Sequence, residues 1–185
     1  LTSANSINIA RLIPQTFYYF WMYAQLCKNK TKPKNMFVSV PSGNLGNLTA
    51  GIISWRLGLP IRHFIGATNA NKTFGEYLEK DTYYAKNVIP TISNAMDIAI
   101  PNNLVRIISL FEDKDEMKSK VSSLSINDND TKECIVNVYN KFGYTIDPHT
   151  AVGYLGLKRY IKNNNITNYT GIVLATAHPS KFPKC

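Results

Sequence analysis

Ser39-Val40-Pro41-Ser42-Gly43-Asn44-Leu45-Gly46-Asn47-Leu48-Thr49-Ala50-Gly51 lies between two apolar runs, and its reading decides the fold. The run before it, residues 36–40, has strand length and ends in Pro41-Ser42-Gly43. Asn47 is placed to cap a helix that runs through Trp55 and Leu57, with Gly58 and Pro60 ending it. Residues 61–67 form a second apolar run of strand length. Strand, glycine-rich turn, helix and strand make a βαβ unit, which implies parallel strands joined by a right-handed crossover. The expected class is therefore α/β.

The turn itself has a chemistry. Gly43 and Gly46 let the backbone fold tightly enough for successive N–H groups to point into one concavity. The helix that follows aims its positive end at the same spot. Such a nest suits a phosphate dianion. It lacks the Lys-Ser/Thr ending of a nucleotide-triphosphate loop, and its glycine spacing is not the dinucleotide fingerprint. On spacing alone, a tight turn that binds nothing accounts for it about equally well.

Upstream, Ala4-Asn5-Ser6-Ile7-Asn8-Ile9-Ala10-Arg11 gathers a hydroxyl, amides and a guanidinium. Either these hold an anion, with Arg11 as a charged fork, or Ser6 and Asn8 cap a helix and Arg11 is solvated. Ile9, Ile13, Phe17, Phe20 and Ala24 recur at helical spacing beyond it. Pro14 either kinks one long helix or sits in the first turn of a shorter one.

Downstream, residues 69–81 read as helical, residues 90–101 as irregular, and residues 101–111 as an amphipathic helix with Leu104, Ile107, Ile108 and Phe111 on one side. Residues 112–133 are charged and rich in Ser and Asn, the pattern of a polar surface insertion. A helix over 131–142 stops at Gly143, and Asp147-Pro148 starts another that turns Ala151, Val152 and Leu155 inward. Residues 171–175 are expected to be a last buried strand, followed by Thr176-Ala177-His178-Pro179. Polar residues at the end of such a strand either bind ligand, as in open parallel sheets, or cap the next turn.

Composition excludes several classes. The 21 Lys and Arg against 12 Asp and Glu give a net charge of +9, but the lysines are scattered and no basic stripe interleaves with aromatics, so nucleic acid is not the expected partner. The 20 Asn and 19 Ile point instead to a compositional drift toward Lys, Asn and Ile. No apolar run approaches the roughly 20 residues that cross a bilayer. Cys27, Cys134 and Cys185 are far apart without CxxC spacing, which fits a reducing, cytoplasmic setting and neither zinc nor a disulfide scaffold. His63, His149 and His178 have no metal-ligand spacing, and His63 lies inside an apolar run as a packing residue.

Six stretches in order carry a resemblance across nearly the whole chain. They are residues 4–11, 39–51 and 175–182, together with Ala67-Thr68-Asn69-Ala70-Asn71, Thr91-Ile92-Ser93-Asn94-Ala95-Met96-Asp97 and Asp147-Pro148-His149-Thr150-Ala151-Val152-Gly153-Tyr154. Together they resemble the threonine synthases, in the branch shared by enterobacteria and fungi. The likeness implies a fold type II pyridoxal-phosphate enzyme, related to the tryptophan synthase β subunit and cysteine synthase. It implies conversion of O-phospho-L-homoserine and water to L-threonine and phosphate, with pyridoxal 5'-phosphate as the cofactor.

Carried over by position, Gly43, Asn44, Leu45, Gly46 and Asn47 resemble the cradle of the cofactor's phosphate. Thr176 resembles the hydroxyl that hydrogen-bonds the pyridine nitrogen. Ser6 and Arg11 look like contacts to the substrate's phosphate, with Asn8 and Asn94 in the same pocket. The resemblance departs at the Schiff-base lysine, which the family carries upstream of the first of these motifs; Lys72 and Lys181 fall within motifs but not at that position. The chain, which opens on Leu1, accordingly reads as the C-terminal half of the cofactor-binding core, incomplete and inactive by itself, with part of its core facing water. The missing N-terminal half of the same polypeptide is its expected partner. A threonine-synthase-like phospho-lyase and a non-catalytic phosphate-binding module are the competing readings.

Overall fold

The computed structural model describes residues 7–28, 32–84 and 86–182. Four parallel strands form one sheet in the order β3-β2-β1-β4: β1 is Met36–Pro41, β2 Ile61–Thr68, β3 Val121–Ser125 and β4 Thr170–Val173. The helices are α1 (Ile9–Cys27), α2 (Gly46–Arg56), α3 (Thr73–Lys80), α4 (Leu104–Ser109), α5 (Lys114–Lys120), α6 (Asp128–Phe142) and α7 (Pro148–Asn163). The βαβ unit expected from the central stretch is β1–α2–β2, and it holds the middle of the sheet.

Every residue of β1 is buried, as a central parallel strand covered on both faces requires. Alternate side chains feed two layers. Met36, Val38 and Val40 pack with Leu48, Ile52, Tyr19 and Phe64 under α1 and α2, whereas Phe37 packs with Ile65, Leu157 and Ile161 under α7. His63 is buried on the α7 side, where its ring stacks on Tyr160 at 4.8 Å. It is the packing residue that its place in an apolar run suggested.

Helix starts and stops follow local chemistry where that chemistry is strong. Asp147 accepts from the N–H groups of His149 and Thr150 and caps α7, with Pro148 in its first turn. Gly143, at φ 64°, closes α6.

One alternative is resolved and four expectations are corrected. α1 is one helix that runs through Pro14; the proline deprives the Ala10 carbonyl of a helical donor without breaking the element. Its core face is Leu12, Thr16 and Tyr19, while Ile9, Ile13 and Phe17, which share the apolar stripe, point to solvent, Phe17 being 64% exposed. Asn47 does not cap α2. The helix starts at Gly46, two residues earlier than that cap would give, behind Leu45 in the left-handed conformation. Residues 112–133 are not a surface insertion, because they contain β3, paired in parallel with β2, and the buried Met117, Val121 and Ile126. The last strand is not buried: β4 pairs with β1 alone among the described strands and is half-exposed along its length.

Candidate functional site

The carboxyl ends of β1 and β4 open on a cleft of about 830 Å³. This is where open parallel sheets bind ligands, beyond the carboxyl ends of their strands. Its floor is the turn Gly43–Asn44–Leu45–Gly46–Asn47 leading into α2. Leu45 has φ 60° and ψ 9°, a conformation that costs a non-glycine residue roughly 1–2 kcal/mol. The left-handed residue rotates the chain so that α2 begins abruptly. No side chain caps this helix among the described residues. The first helical bond runs from Thr49 N–H to Leu45 carbonyl at 2.9 Å. By helix geometry the N–H groups of Gly46, Asn47 and Leu48 therefore have no intrahelical acceptor, and all three residues line the cleft. Uncapped N–H groups behind a left-handed residue, at the positive end of an eleven-residue helix, are a donor set for a phosphate.

The other walls come from distant parts of the chain. Arg11 on α1 lines the cleft, as do Thr176 just beyond β4 and Ala95 and Met96 in the 3-10 turn Asn94–Met96. Of the residues marked by sequence, Gly43, Asn44, Leu45, Gly46, Asn47, Arg11 and Thr176 thus meet around one space. Asn44 is also tied to the next loop: its Oδ1 accepts from Asn102 N–H at 2.6 Å and its carbonyl from Asn103 Nδ2 at 2.8 Å. Three marked residues stand differently. Asn8 accepts from Ala10 N–H at 3.0 Å and caps α1, the alternative its position allowed. Asn94 is exposed, and it is its neighbours Ala95 and Met96 that line the cleft. Ser6 lies outside the described residues.

The 3-10 turn is held in place by a polar network. Asn69 Nδ2 donates to Thr91 Oγ1 and to Asp97 Oδ1, both at 2.8 Å, and Thr91 N–H donates to Asp97 Oδ2 at 2.9 Å. From the opposite side, Ala95 N–H donates to His149 Nε2 at 3.2 Å. His149 Nδ1 in turn lies 2.9 Å from Asp147 Oδ1. Since Nε2 accepts, Nδ1 carries the proton and donates to the carboxylate. The same carboxylate takes the Thr150 hydroxyl.

His149 is the cleft residue that sequence reading missed. The signal was present: a histidine two residues after a capping Asp is within reach of that cap. Burial pushes the Asp147 carboxyl up, but hydrogen bonds from the side chains and N–H groups of His149 and Thr150 outweigh it and hold it below the ordinary carboxylate range. A carboxylate with a depressed folded-state pKa adds stability above its unfolded value, and that stability is lost as pH falls through the folded one. Asp147→Asn, which keeps the capping oxygen, is expected to cost about 1 kcal/mol at neutral pH. The gap from wild type should close as pH drops below the carboxylate range, a trend that urea midpoints measured across pH will reveal.

No lysine lines the cleft among the described residues, and none of their helices is long and apolar enough to cross a membrane.

Comparison with known proteins gives the site its context. A family model described as "Threonine synthase, C-terminal" matches residues 150–185. The curated threonine synthase of Haemophilus influenzae is 46% identical over 182 residues, which is 98% of this chain and 41% of that protein. The chain thus spans about two fifths of the length of such relatives. Among solved structures, threonine synthase from Escherichia coli superposes with a TM-score of 0.86 at 40% identity, over 98% of this chain and 41% of that one. The structure described as PLP-bound threonine synthase from Brucella melitensis superposes at 0.85 with 32% identity, over 99% of this chain and 43% of that one.

Proposed function

We propose that this chain belongs to the threonine synthase family, to whose members it is similar over nearly its whole length, and that it is the C-terminal half of the cofactor-binding core of a cytoplasmic enzyme that converts O-phospho-L-homoserine and water to L-threonine and phosphate. The observation that carries the reading is the uncapped start of α2 behind left-handed Leu45, opening on the same cleft as Arg11 and Thr176.

Those residues fit pyridoxal 5'-phosphate and a phosphorylated amino acid. The N–H groups of Gly46, Asn47 and Leu48 would hold the cofactor's phosphate, with the α2 dipole adding its positive end. The Thr176 hydroxyl would meet the pyridine nitrogen. A neutral partner there leaves the ring less proton-rich than a carboxylate would. Bound in this cleft, the cofactor supplies an electron sink for negative charge developing on the substrate's carbon skeleton. Arg11 would pair with the substrate's own phosphate by charge-assisted hydrogen bonds, orienting it as a leaving group. Ser6 stays in our proposed substrate pocket, whereas Asn8, spent on the α1 cap, and Asn94, exposed beside the cleft, do not. The lysine that joins the cofactor would come from the remainder of the polypeptide.

Two preparations test this. The full polypeptide with pyridoxal phosphate should release phosphate and L-threonine in equal amounts from O-phospho-L-homoserine, and residues 1–185 alone should release neither. Phosphate accompanied by ammonia and 2-oxobutyrate would reassign the enzyme as a phospho-lyase. No cofactor absorbance and no phosphate from the full polypeptide would leave a non-catalytic binding module.

A further inference from the structure

Tyr19 is among the most deeply buried side chains of the molecule, 1% exposed at the seam between α1 and α2. Its hydroxyl lies 2.7 Å from Asn47 Oδ1 and 3.0 Å from the Asn47 carbonyl oxygen. Burial pushes the phenol well above its ordinary pKa, so it stays a donor. The seam is built to admit this ring. A Cβ at Gly51, one turn along α2 from Asn47, would fall 2.6 Å from Tyr19 Cζ and 2.7 Å from the hydroxyl oxygen. Any larger residue there would push the ring away from Asn47. Further toward the start of α1, Arg11 lines the same cleft as Asn47.

The geometry points to Tyr19 as a positioning residue for the phosphate cradle. We infer that its hydroxyl holds the Asn47 amide by the oxygen and so turns the amide nitrogen, a donor, toward the anion in the cleft. An unrestrained amide could equally present its oxygen, which repels a phosphate. Tyr19 itself need not touch any ligand. This inference rests on the proposed reading of the cleft as a pyridoxal-phosphate site.

The test compares pyridoxal 5'-phosphate with pyridoxal, which lacks the phosphate, as ligands of the full polypeptide. Dissociation constants are read by cofactor absorbance for wild type, Tyr19→Phe, Asn47→Ala and the double variant. Tyr19→Phe keeps the ring and removes only the hydroxyl. It should weaken pyridoxal phosphate by roughly 5- to 10-fold, the worth of one oriented hydrogen bond, and leave pyridoxal within about 2-fold. In the Asn47→Ala background the same substitution should change neither ratio, because Tyr19 acts through Asn47.

Equal weakening of both ligands, or an undiminished effect in the Asn47→Ala background, would overturn the inference and leave Tyr19 a packing residue. A Tyr19→Phe variant that cannot be purified folded would overturn it too if Asn47→Ala alone leaves the preference for the phosphorylated ligand unchanged. Failure of the wild-type polypeptide to bind either ligand would instead sink the reading of the cleft itself.

Discussion

Gly43→Ala in the full polypeptide is expected to raise the dissociation constant for pyridoxal phosphate at least about 100-fold, and with it to abolish activity. A Cβ at this position would sit 2.7 Å from the Met96 Cα and 3.2 Å from the Ala95 carbonyl oxygen, so it meets backbone and not a flexible side-chain end. That backbone has little room to give. Met96 N–H donates to the Ser93 carbonyl at 2.9 Å, Ala95 N–H is held by His149, and Asn69 and Asp97 fix the loop from below. The turn itself must then move, and it carries the strained Leu45 and the N–H groups at the start of α2. Losing two of those N–H bonds to a phosphate, at about 1.5 kcal/mol each for a charged acceptor, costs on the order of 100-fold in affinity. Absorbance titration with the cofactor reads the change directly. Near-normal affinity in Gly43→Ala would show that the turn does not hold the cofactor.

The second large effect is on stability and is read with pH. Burial, seconded by Lys120 and Arg62 and opposed by the bond to Ser119, pushes His63 down from 6.5 to about 4. Nδ1 lies 3.1 Å from the Ser119 carbonyl oxygen, to which it must donate, and Nε2 then accepts from Ser122 Oγ at 2.9 Å. Protonating Nε2 breaks this arrangement and places a charge between β2 and α7.

The unfolded chain binds the proton near pH 6.5 and the folded one only near 4. The stability that neutral His63 contributes is therefore complete above pH 6.5 and is lost progressively as pH falls to about 4. The difference of about 2.5 units amounts to about 3 kcal/mol. Urea unfolding followed by Trp55, which stacks on Phe111 at 5.8 Å, should show that loss in wild type and a flatter profile in His63→Gln. An unchanged slope in His63→Gln would assign the acid sensitivity to other groups.

Much of the fold and part of the site were legible in advance, for reasons that differ by residue. Asp147-Pro148 and Gly143 act through their own backbones, so their meaning hardly depends on what surrounds them. The glycine-rich turn was recognisable as a place for an anion, yet the cap was assigned to Asn47. What displaced it is Leu45 at positive φ, a conformation no sequence rule grants a leucine and which its burial in the core sustains. His149 escaped notice because its role depends on Ala95, 54 residues away.

By itself, then, the sequence determined what is local or periodic: strand, turn, helix and strand in parallel order, the start of α7 at Asp147-Pro148 and the stop of α6 at Gly143, and the ordered motifs that carry the resemblance. The tertiary structure decided which faces are used. Periodicity says which residues of α1 share a face, but both faces are apolar, and docking on α2 through Tyr19 selected Leu12 and Thr16 over Ile13 and Phe17. It also made a strand of Val121–Ser125, too polar to announce itself, because pairing with β2 supplies hydrogen bonds that its side chains do not advertise. Finally, it brought Arg11, Asn47, His149 and Thr176 around one space, since a cleft at the end of a sheet is formed by chain segments that only the folding of the backbone makes neighbours.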